Sequence, residues 1–238
     1  MVRLGLRRQV NRLPAERRIA DIMLAARAVF TEHGYNDALI SDISERAGVV
    51  EGSIYRFFTN KRALLVRVVE HWYEEMLARD DEQFAGVRGA WNQIRFIVHR
   101  HLATIRREPA LSRLVFQELR PDPGYRETRL FQLNQAYTHR ILEVIKAAAA
   151  QGELRSDVSP ALVRDMIYGC VEHRTWAFLR HEGDFDIAET ADGIAEIIYG
   201  GLLVRKTASD PVVGVLTRLE NVADRLERAA APAIAQSG

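Results

Sequence analysis

Apolar residues recur at helical spacing along almost the whole chain, and no segment shows the alternation of a strand. From about Pro14 to His33, one face carries Ile19, Ile22, Ala26, Val29 and Phe30, and Gly34 ends the run. Between Ile40 and Phe58 the pattern shortens into two pieces, one burying Ile43 and Ala47, the other Ile54, Phe57 and Phe58. A longer helix from Lys61 to about Phe84 repeats the period through Val68, Trp72, Glu75 and Met76, so it bridges two parts of the molecule. After a break at Gly86 and Gly89, further helices are expected from Ala90 to Arg106 and from Pro109 to about Leu119. Pro121-Asp122-Pro123-Gly124 is the clearest turn, and a helix from Tyr125 to Ala150 follows it. Ser159-Pro160 opens a helix to about His181, Asp186 caps one from Ile187 to about Arg205, and Pro211 starts a last one to Ala230. The predicted fold class is all-α.

The two short helices about Gly48 have the form of a helix-turn-helix, a device that reads DNA. Gly48 supplies the permissive backbone that the tight turn needs. Ser41 is expected to cap the first short helix, with Asp42 at its positive end. Burial of Ile54, Phe57 and Phe58 turns Ser53, Tyr55 and Arg56 outward, and Gly52 allows close approach of a partner. Lys61 and Arg62 are two cations at a helix N-terminus, against the macrodipole. A DNA phosphate at that end would account for them.

Ala25-Ala26, Phe30, Gly34-Tyr35, Ser41, Ile43, Ala47-Gly48-Val49, Gly52, Tyr55, Phe58, Lys61 and Leu64-Leu65 resemble, in order and spacing, the N-terminal domain of TetR-type repressors. The resemblance covers roughly residues 17 to 70. It implies that Ser41, Tyr55 and Lys61 hold phosphate and that the helix from Val50 to Phe57, with Glu51, Gly52, Ser53 and Arg56, enters the major groove. Val50, Arg56 and Phe57 depart from the residues usual in the family, which leaves the operator sequence open. The implied architecture is a three-helix DNA-binding domain at 17–66 and a helical ligand-binding and dimerisation domain at 67–230. They are flanked by a basic arm at 1–16 and a frayed tail at 231–238.

Charge agrees with this division. Residues 1–70 hold 12 Lys+Arg and 8 Asp+Glu, a balance of +4, and the remaining 21 and 24 give −3, for a net +1. The only cysteine is Cys170, expected as a packed core thiol, so an intramolecular disulfide is excluded. No uncharged run approaches the ~20 residues that span a bilayer. The expected compartment is the cytoplasm.

The last two main helices are apolar on several sides, which requires neighbours on several sides. The resemblance implies a homodimer through them, with Trp176, Ile194, Ile197, Ile198, Gly201 and Leu202 at the interface. It also implies a pocket for a small hydrophobic effector, with Trp91, Phe96, His99, Phe116, Phe131, Gln135, Tyr168, His173 and Trp176 as candidate lining. The run Met166–Trp176, with Gln117-Glu118-Leu119-Arg120, resembles regulators of fatty-acid metabolism, which implies a long-chain acyl-coenzyme A or fatty acid. The rival is another hydrophobic or cationic compound, as in efflux-pump regulators.

An enzyme is not expected. His99 and His101 are i, i+2 on a helix and point apart, and the sequence has no His-Glu-x-x-His, no phosphate-binding glycine loop and no Gly-x-Ser-x-Gly. No metal or cofactor is expected. The reading is a ligand-responsive repressor of double-stranded operator DNA; the alternative is a helical adaptor without specific DNA binding. The repressor reading predicts that Tyr55→Phe and Lys61→Ala each weaken binding to all sequences and leave folding intact, measured by fluorescence anisotropy across a salt series.

Overall fold

The computed structural model describes residues 15–204 and 211–230, all helix and connection among the described residues. The expected frayed tail and all but the last two residues of the basic arm lie outside them. Ten α-helices follow in order: α1 Ala15–Asp37, α2 Ile40–Arg46, α3 Glu51–Tyr55, α4 Lys61–Phe84, α5 Ala90–Arg107, α6 Pro109–Leu114, α7 Arg129–Ala150, α8 Pro160–Leu179, α9 Ile187–Leu202 and α10 Pro211–Ala230. One unit ends at Leu202, and a second begins at Leu203 and contains α10.

The first unit has two hydrophobic cores. One gathers α1 to α3, most of α4, α6 and the start of α7, around Ile22, Phe30, Ile43, Leu64, Leu65, Leu111 and Leu130. The other gathers α5 and α7 to α9, around Ile94, Leu102, Ile141, Val171 and Ala195. Phe116 and Tyr168 pack against both. The first core does not stop at residue 66: it runs along α4 to Met76 and takes in Leu111 and Leu114 of α6. Arg27 of α1 reinforces this continuity, donating to Glu75 of α4 at 3.0 Å and to Glu108 before α6 at 2.8 Å.

Local chemistry explains most helix ends. Gly34 has φ +76°, interrupting α1, which re-forms for three residues beyond it. Gly48 has φ +64° between α2 and α3, a conformation that costs an L side chain about 1 kcal/mol or more. Asn60 Oδ1 accepts from Ala63 N at 2.8 Å, and Asp186 Oδ1 accepts from Glu189 N at 2.7 Å, so these residues cap α4 and α9. Thr128 caps α7 the same way, and the stretch before it is a separate 3₁₀ turn, Tyr125–Glu127, rather than the helix start expected there. Ser41 does not cap α2: Leu39 stands at the cap, and the Ser41 hydroxyl donates to Asp42. Ser159 holds the cap position of α8 without a side-chain bond. Between α6 and the turn at Pro121, residues Val115–Leu119 form a π-helical segment, a wide turn that recurs at functional sites.

The two cations that open α4 have partners inside the chain. Lys61 Nζ donates to the carbonyls of Tyr35 (2.7 Å), Asn36 (3.1 Å) and Ala38 (3.0 Å) and lies 4.7 Å from the Tyr35 ring centroid. It closes the C-terminal end of α1, where unpaired carbonyls and the negative dipole end favour a cation. This corrects the expectation that Lys61 points at DNA phosphate. Arg62 donates to the Glu118 carbonyl at 3.0 Å and to Asp122 at 2.5 Å.

Lys61→Ala should therefore cost about 2 kcal/mol of stability, since a charge-assisted hydrogen bond contributes about 1.5–3 kcal/mol. For a domain of this size the melting temperature falls by about 4–8 °C. A thermal melt that stays within 1 °C (about 0.3 kcal/mol) of wild type would return Lys61 to its expected role as a phosphate contact with no part in folding.

Candidate DNA-reading surface and ligand cavity

Burial of Ile43, Ile54 and Phe58 fixes which face of the helix-turn-helix is free. Val50 (73 % exposed) and Tyr55 (51 %) stand out with exposed Glu51, Gly52 and Arg56, and Ser41 is exposed at the start of α2. Ser53 is half-buried, and Phe57, expected in the core, is only partly covered. The helix α3 is shorter than expected, because after Tyr55 the chain turns and both Phe57 N and Phe58 N donate to the Ile54 carbonyl. The expected DNA contacts other than Lys61 and half-buried Ser53 are thus exposed, apolar Val50 and anionic Glu51 among them.

The second site is a cavity of about 350 Å³ between α4, α5, the π segment, α7 and α8, within the roughly 300–1,000 Å³ of small-molecule sites. It lies at the seam of the two cores, since Phe116 and Tyr168 belong to its wall. Among its expected lining residues the cavity holds Phe116, Phe131, Gln135 and Tyr168. Trp91 instead donates to Glu196 at 3.1 Å, tying α5 to α9. Phe96 stacks on Phe84 beside a neighbouring void, and His99 faces a shallow groove by Arg106 and Arg174. His173 is exposed on α8, and Trp176 packs behind Phe116 at 5.9 Å between ring centroids. Pattern alone could not separate these positions, because an aromatic at helical spacing marks burial and not the side from which it is buried.

Polar wall residues went unrecognised. Arg120, Arg126 and Arg164 line the cavity with Asp165 and Glu172, three positive charges against two negative, a net +1. Arg120 pairs with Glu172 at 2.6 Å; Arg164 pairs with Asp165 at 2.8 Å and donates to Gln135 at 3.0 Å. His101, also in the wall, shares a 3.2 Å hydrogen bond with the Tyr137 hydroxyl, and its ring meets Tyr168 edge-on at 4.9 Å. Burial, and then the Arg120 charge, push the His101 imidazole down to about 4, so it is neutral at pH 7. Burial raises the Tyr137 phenol to about 12 and moves those of Tyr73 and Tyr168 upward as well. The Tyr125 hydroxyl is buried on this wall with no partner. Two voids of about 20 Å³ adjoin, one by Phe84 and Phe96 and one by Trp72 and Met76, and Tyr137 stands in the wall of all three. The lining therefore combines a small excess of positive charge with uncharged aromatic groups, and Arg120 lies 5.5 Å from the Phe116 ring centroid.

One cation of α4 reaches the segment that forms part of the cavity wall. Arg120 lies within, and Tyr125 three residues beyond, the stretch from Glu118 to Asp122 that Arg62 holds. The Gly124 backbone N–H, with the Arg62 guanidinium, holds the Asp122 carboxyl below its ordinary range.

Nor are all the expected interface residues at the surface. Ile194, Ile198 and Leu202 are buried within the chain, where α9 packs along α5, and Trp176 is half-buried. Ile197, at 75 % exposed, and Gly201 face outward, with Leu162, Met166, Gly169 and Cys170 exposed on α8. Cys170 is thus a surface thiol and not the core thiol expected.

Residues 22–68 match the family described as "Bacterial regulatory proteins, tetR family", and residues 88–202 match "Tetracyclin repressor-like, C-terminal domain". The chain is similar to the fatty acid metabolism regulator protein of Bacillus subtilis, 21 % identical over 181 residues, 76 % of this chain and 93 % of that one. Two regulators of Mycolicibacterium smegmatis are also similar. One is the transcriptional activator FasR, at 22 % identity over 83 % of this chain and 89 % of that one. The other is the transcriptional repressor KstR2, at 24 % identity over 79 % and 92 %. Among solved structures, FadR from Bacillus subtilis in complex with stearoyl-CoA superposes with a TM-score of 0.68 at 21 % identity, covering 77 % of this chain and 98 % of that one.

The depressed His101 sets a pH dependence. Its folded-state value lies below the unfolded one, so protonation favours unfolding, and stability present above about pH 6.5 is lost as pH falls toward 4. At pH 5 the loss is about 2 kcal/mol, or about 4–8 °C in melting temperature. His101→Gln, which keeps a hydrogen-bonding group and cannot titrate, should flatten the wild-type fall between pH 7.5 and pH 5; an identical fall in both proteins refutes the assignment.

Proposed function

The chain belongs to the TetR family of transcriptional regulators, and on that premise we propose that it represses transcription as a homodimer and is released from its operator by a long-chain acyl-coenzyme A. The carrying observation is the mixed lining of the cavity, Arg120, Arg126 and Arg164 together with Phe116, Phe131, Tyr137 and Tyr168. An anion with a long apolar tail satisfies both kinds of lining at once. Phosphate or thioester oxygens lie at the arginines and the unpartnered Tyr125 hydroxyl, and the tail displaces Tyr137 toward the adjoining voids. The likeness to a fatty acid metabolism regulator and to a FadR bound to stearoyl-CoA supports the same class of effector. A cationic effector would add to the net positive charge of the lining, and a purely hydrophobic one would leave it unbalanced.

For DNA, the proposed contacts are Ser41, Tyr55 and Arg56 with the backbone and N-terminal residues of α3, with Lys61 now holding α1 in place beneath them. The dimer face consists of the outward residues of α8 and α9: Leu162, Met166, Gly169, Ile197 and Gly201. Two copies then present their α3 helices to successive major grooves, which lie roughly 34–36 Å apart.

The two sites are coupled through Arg62. A ligand that pushes on Phe116, Arg120 or Tyr125 moves the stretch from Glu118 to Asp122, and Arg62 carries the shift to the N-terminus of α4, directly after the helix-turn-helix. The ligand acts only through its preference for one of two arrangements.

Anisotropy binding to the DNA upstream of the protein's own gene, against a scrambled fragment, tests this reading. Saturating stearoyl-CoA should weaken specific binding at least tenfold, about 1.4 kcal/mol of coupling, whereas free coenzyme A should not. Asp122→Asn should keep both separate affinities and shrink the ligand effect. Equal DNA affinity with and without saturating ligand would remove the mechanism, and tighter binding with ligand would make the protein a ligand-dependent binder instead.

A further inference from the structure

The helix α10 carries a stripe of exposed apolar residues. Val215 (53 %), Leu216 (51 %), Leu219 (59 %), Val222 (52 %) and Leu226 (66 %) are all exposed. Val215, Leu219, Val222 and Leu226 follow one another at steps of four, three and four, the 3.5-residue repeat with which one helix pairs with another. We propose that α10 is a second dimerisation element, pairing through this stripe with α10 of a second copy of the chain; the proposal rests on the dimer of the preceding section.

Three observations select a second copy as the occupant. First, the polar residues of 215–226 are balanced, Arg218 and Arg225 against Glu220 and Asp224, for a net charge of zero. Anionic membranes and nucleic acids both select a basic polar face, which this helix lacks. Second, exposed apolar residues continue along the chain past α9: Ile197 and Gly201 are followed in sequence by Leu203 (39 %) and Val204 (44 %), both outside the α9 helix. The eight residues from 203 to 210 reach at most about 30 Å, so in a dimer built on α9 the two α10 helices start within range of each other. Third, α10 adds to the apolar area that a dimer could bury. Among the described residues the large exposed apolar side chains of α8 and α9 are Leu162, Met166 and Ile197, and α10 contributes five more. Obligate homodimers bury about 2,000 Å² or more, with an apolar centre.

The matched C-terminal family domain ends at residue 202, and the FadR structure is covered almost completely by 77 % of this chain. The helix α10 is therefore an addition to the part that this chain shares with those relatives. Alone, a helix of this length is marginal in water, and so is a pair of them. Tethered to an interface that already brings the copies together, the pairing becomes intramolecular and is favoured by effective concentration.

The test uses full-length protein. Leu219→Glu with Leu226→Glu should raise the dimer dissociation constant roughly a hundredfold in sedimentation velocity, since each change removes a buried leucine from both copies. The melting temperature of the monomeric body should not change. In a Cys170→Ser background, Val222→Cys should cross-link two copies under mild copper-phenanthroline oxidation, and Glu220→Cys, on the polar side, should not. A dimer as tight as wild type in the double variant, or cross-linking no better at 222 than at 220, overturns the proposal. So does binding to vesicles of anionic phospholipid that the double variant abolishes, which would make α10 a membrane contact. Ile197→Glu separates this from the underlying reading. If it dissolves the dimer while the α10 variant does not, only the present proposal falls; a wild-type chain that is monomeric at micromolar concentration removes the α8–α9 dimer as well.

Discussion

Two adjacent cations at the start of one long helix hold the working parts of this molecule together. By the rules of an isolated helix, Lys61 and Arg62 stand at the wrong end of α4, facing its positive pole. Tertiary contacts offset that cost. Lys61 sits against three carbonyls where α1 ends and α2 begins, a place that wants a cation as much as the start of α4 does not. Arg62 reaches the other way, to the Glu118 carbonyl and the Asp122 carboxylate below the cavity. The helix-turn-helix is thus positioned on one side by Lys61 and connected on the other by Arg62.

That arrangement gives the shared core a functional meaning. The helices α1 to α4 do not form a closed bundle of their own; α6 and the first turn of α7 complete it. A cavity at the boundary between this core and the one formed by α5 and α7 to α9 is flanked by both, through Phe116 and Tyr168. Packed interiors respond to added volume by shifting and not by compressing. On the proposed reading, a ligand larger than the cavity displaces one core relative to the other, and the π-helical segment that carries Phe116 is the part of the wall already wound least tightly.

The same packing decides what is left at the surface. The α9 helix is apolar on more than one side because one side meets α5, through Ile194, Ile198 and Leu202, and the opposite side, with Ile197 and Gly201, is free. An interface drawn from apolar character alone mixes the two. Cys170 shows the same ambiguity: it neighbours buried Ile167 and Val171 in sequence but stands on the exposed side of α8.

Periodicity and breakers determined most of the secondary structure here. The helix limits at Lys61, Phe84, Ala90, Pro109, Pro160, Pro211 and Ala230 follow from local rules that act within a turn or two: a glycine that permits positive φ, a proline that tolerates only a first turn, a side-chain cap. The helix-turn-helix was legible for the same reason, since its turn, its buried pairs and its outward residues lie within twenty positions of each other. What tertiary structure alone decided involves partners far apart in sequence. Lys61 meets carbonyls 23 to 26 residues away, Arg62 its acceptors 56 and 60 away, Arg120 its carboxylate Glu172 52 away, and Arg164 the Gln135 side chain 29 away. A charged or aromatic residue at helical spacing says that it faces inward or outward from its own helix. Which other helix it meets, and whether a cavity or another side chain lies between them, depends on how the helices pack, and that is set by the sum of all their faces.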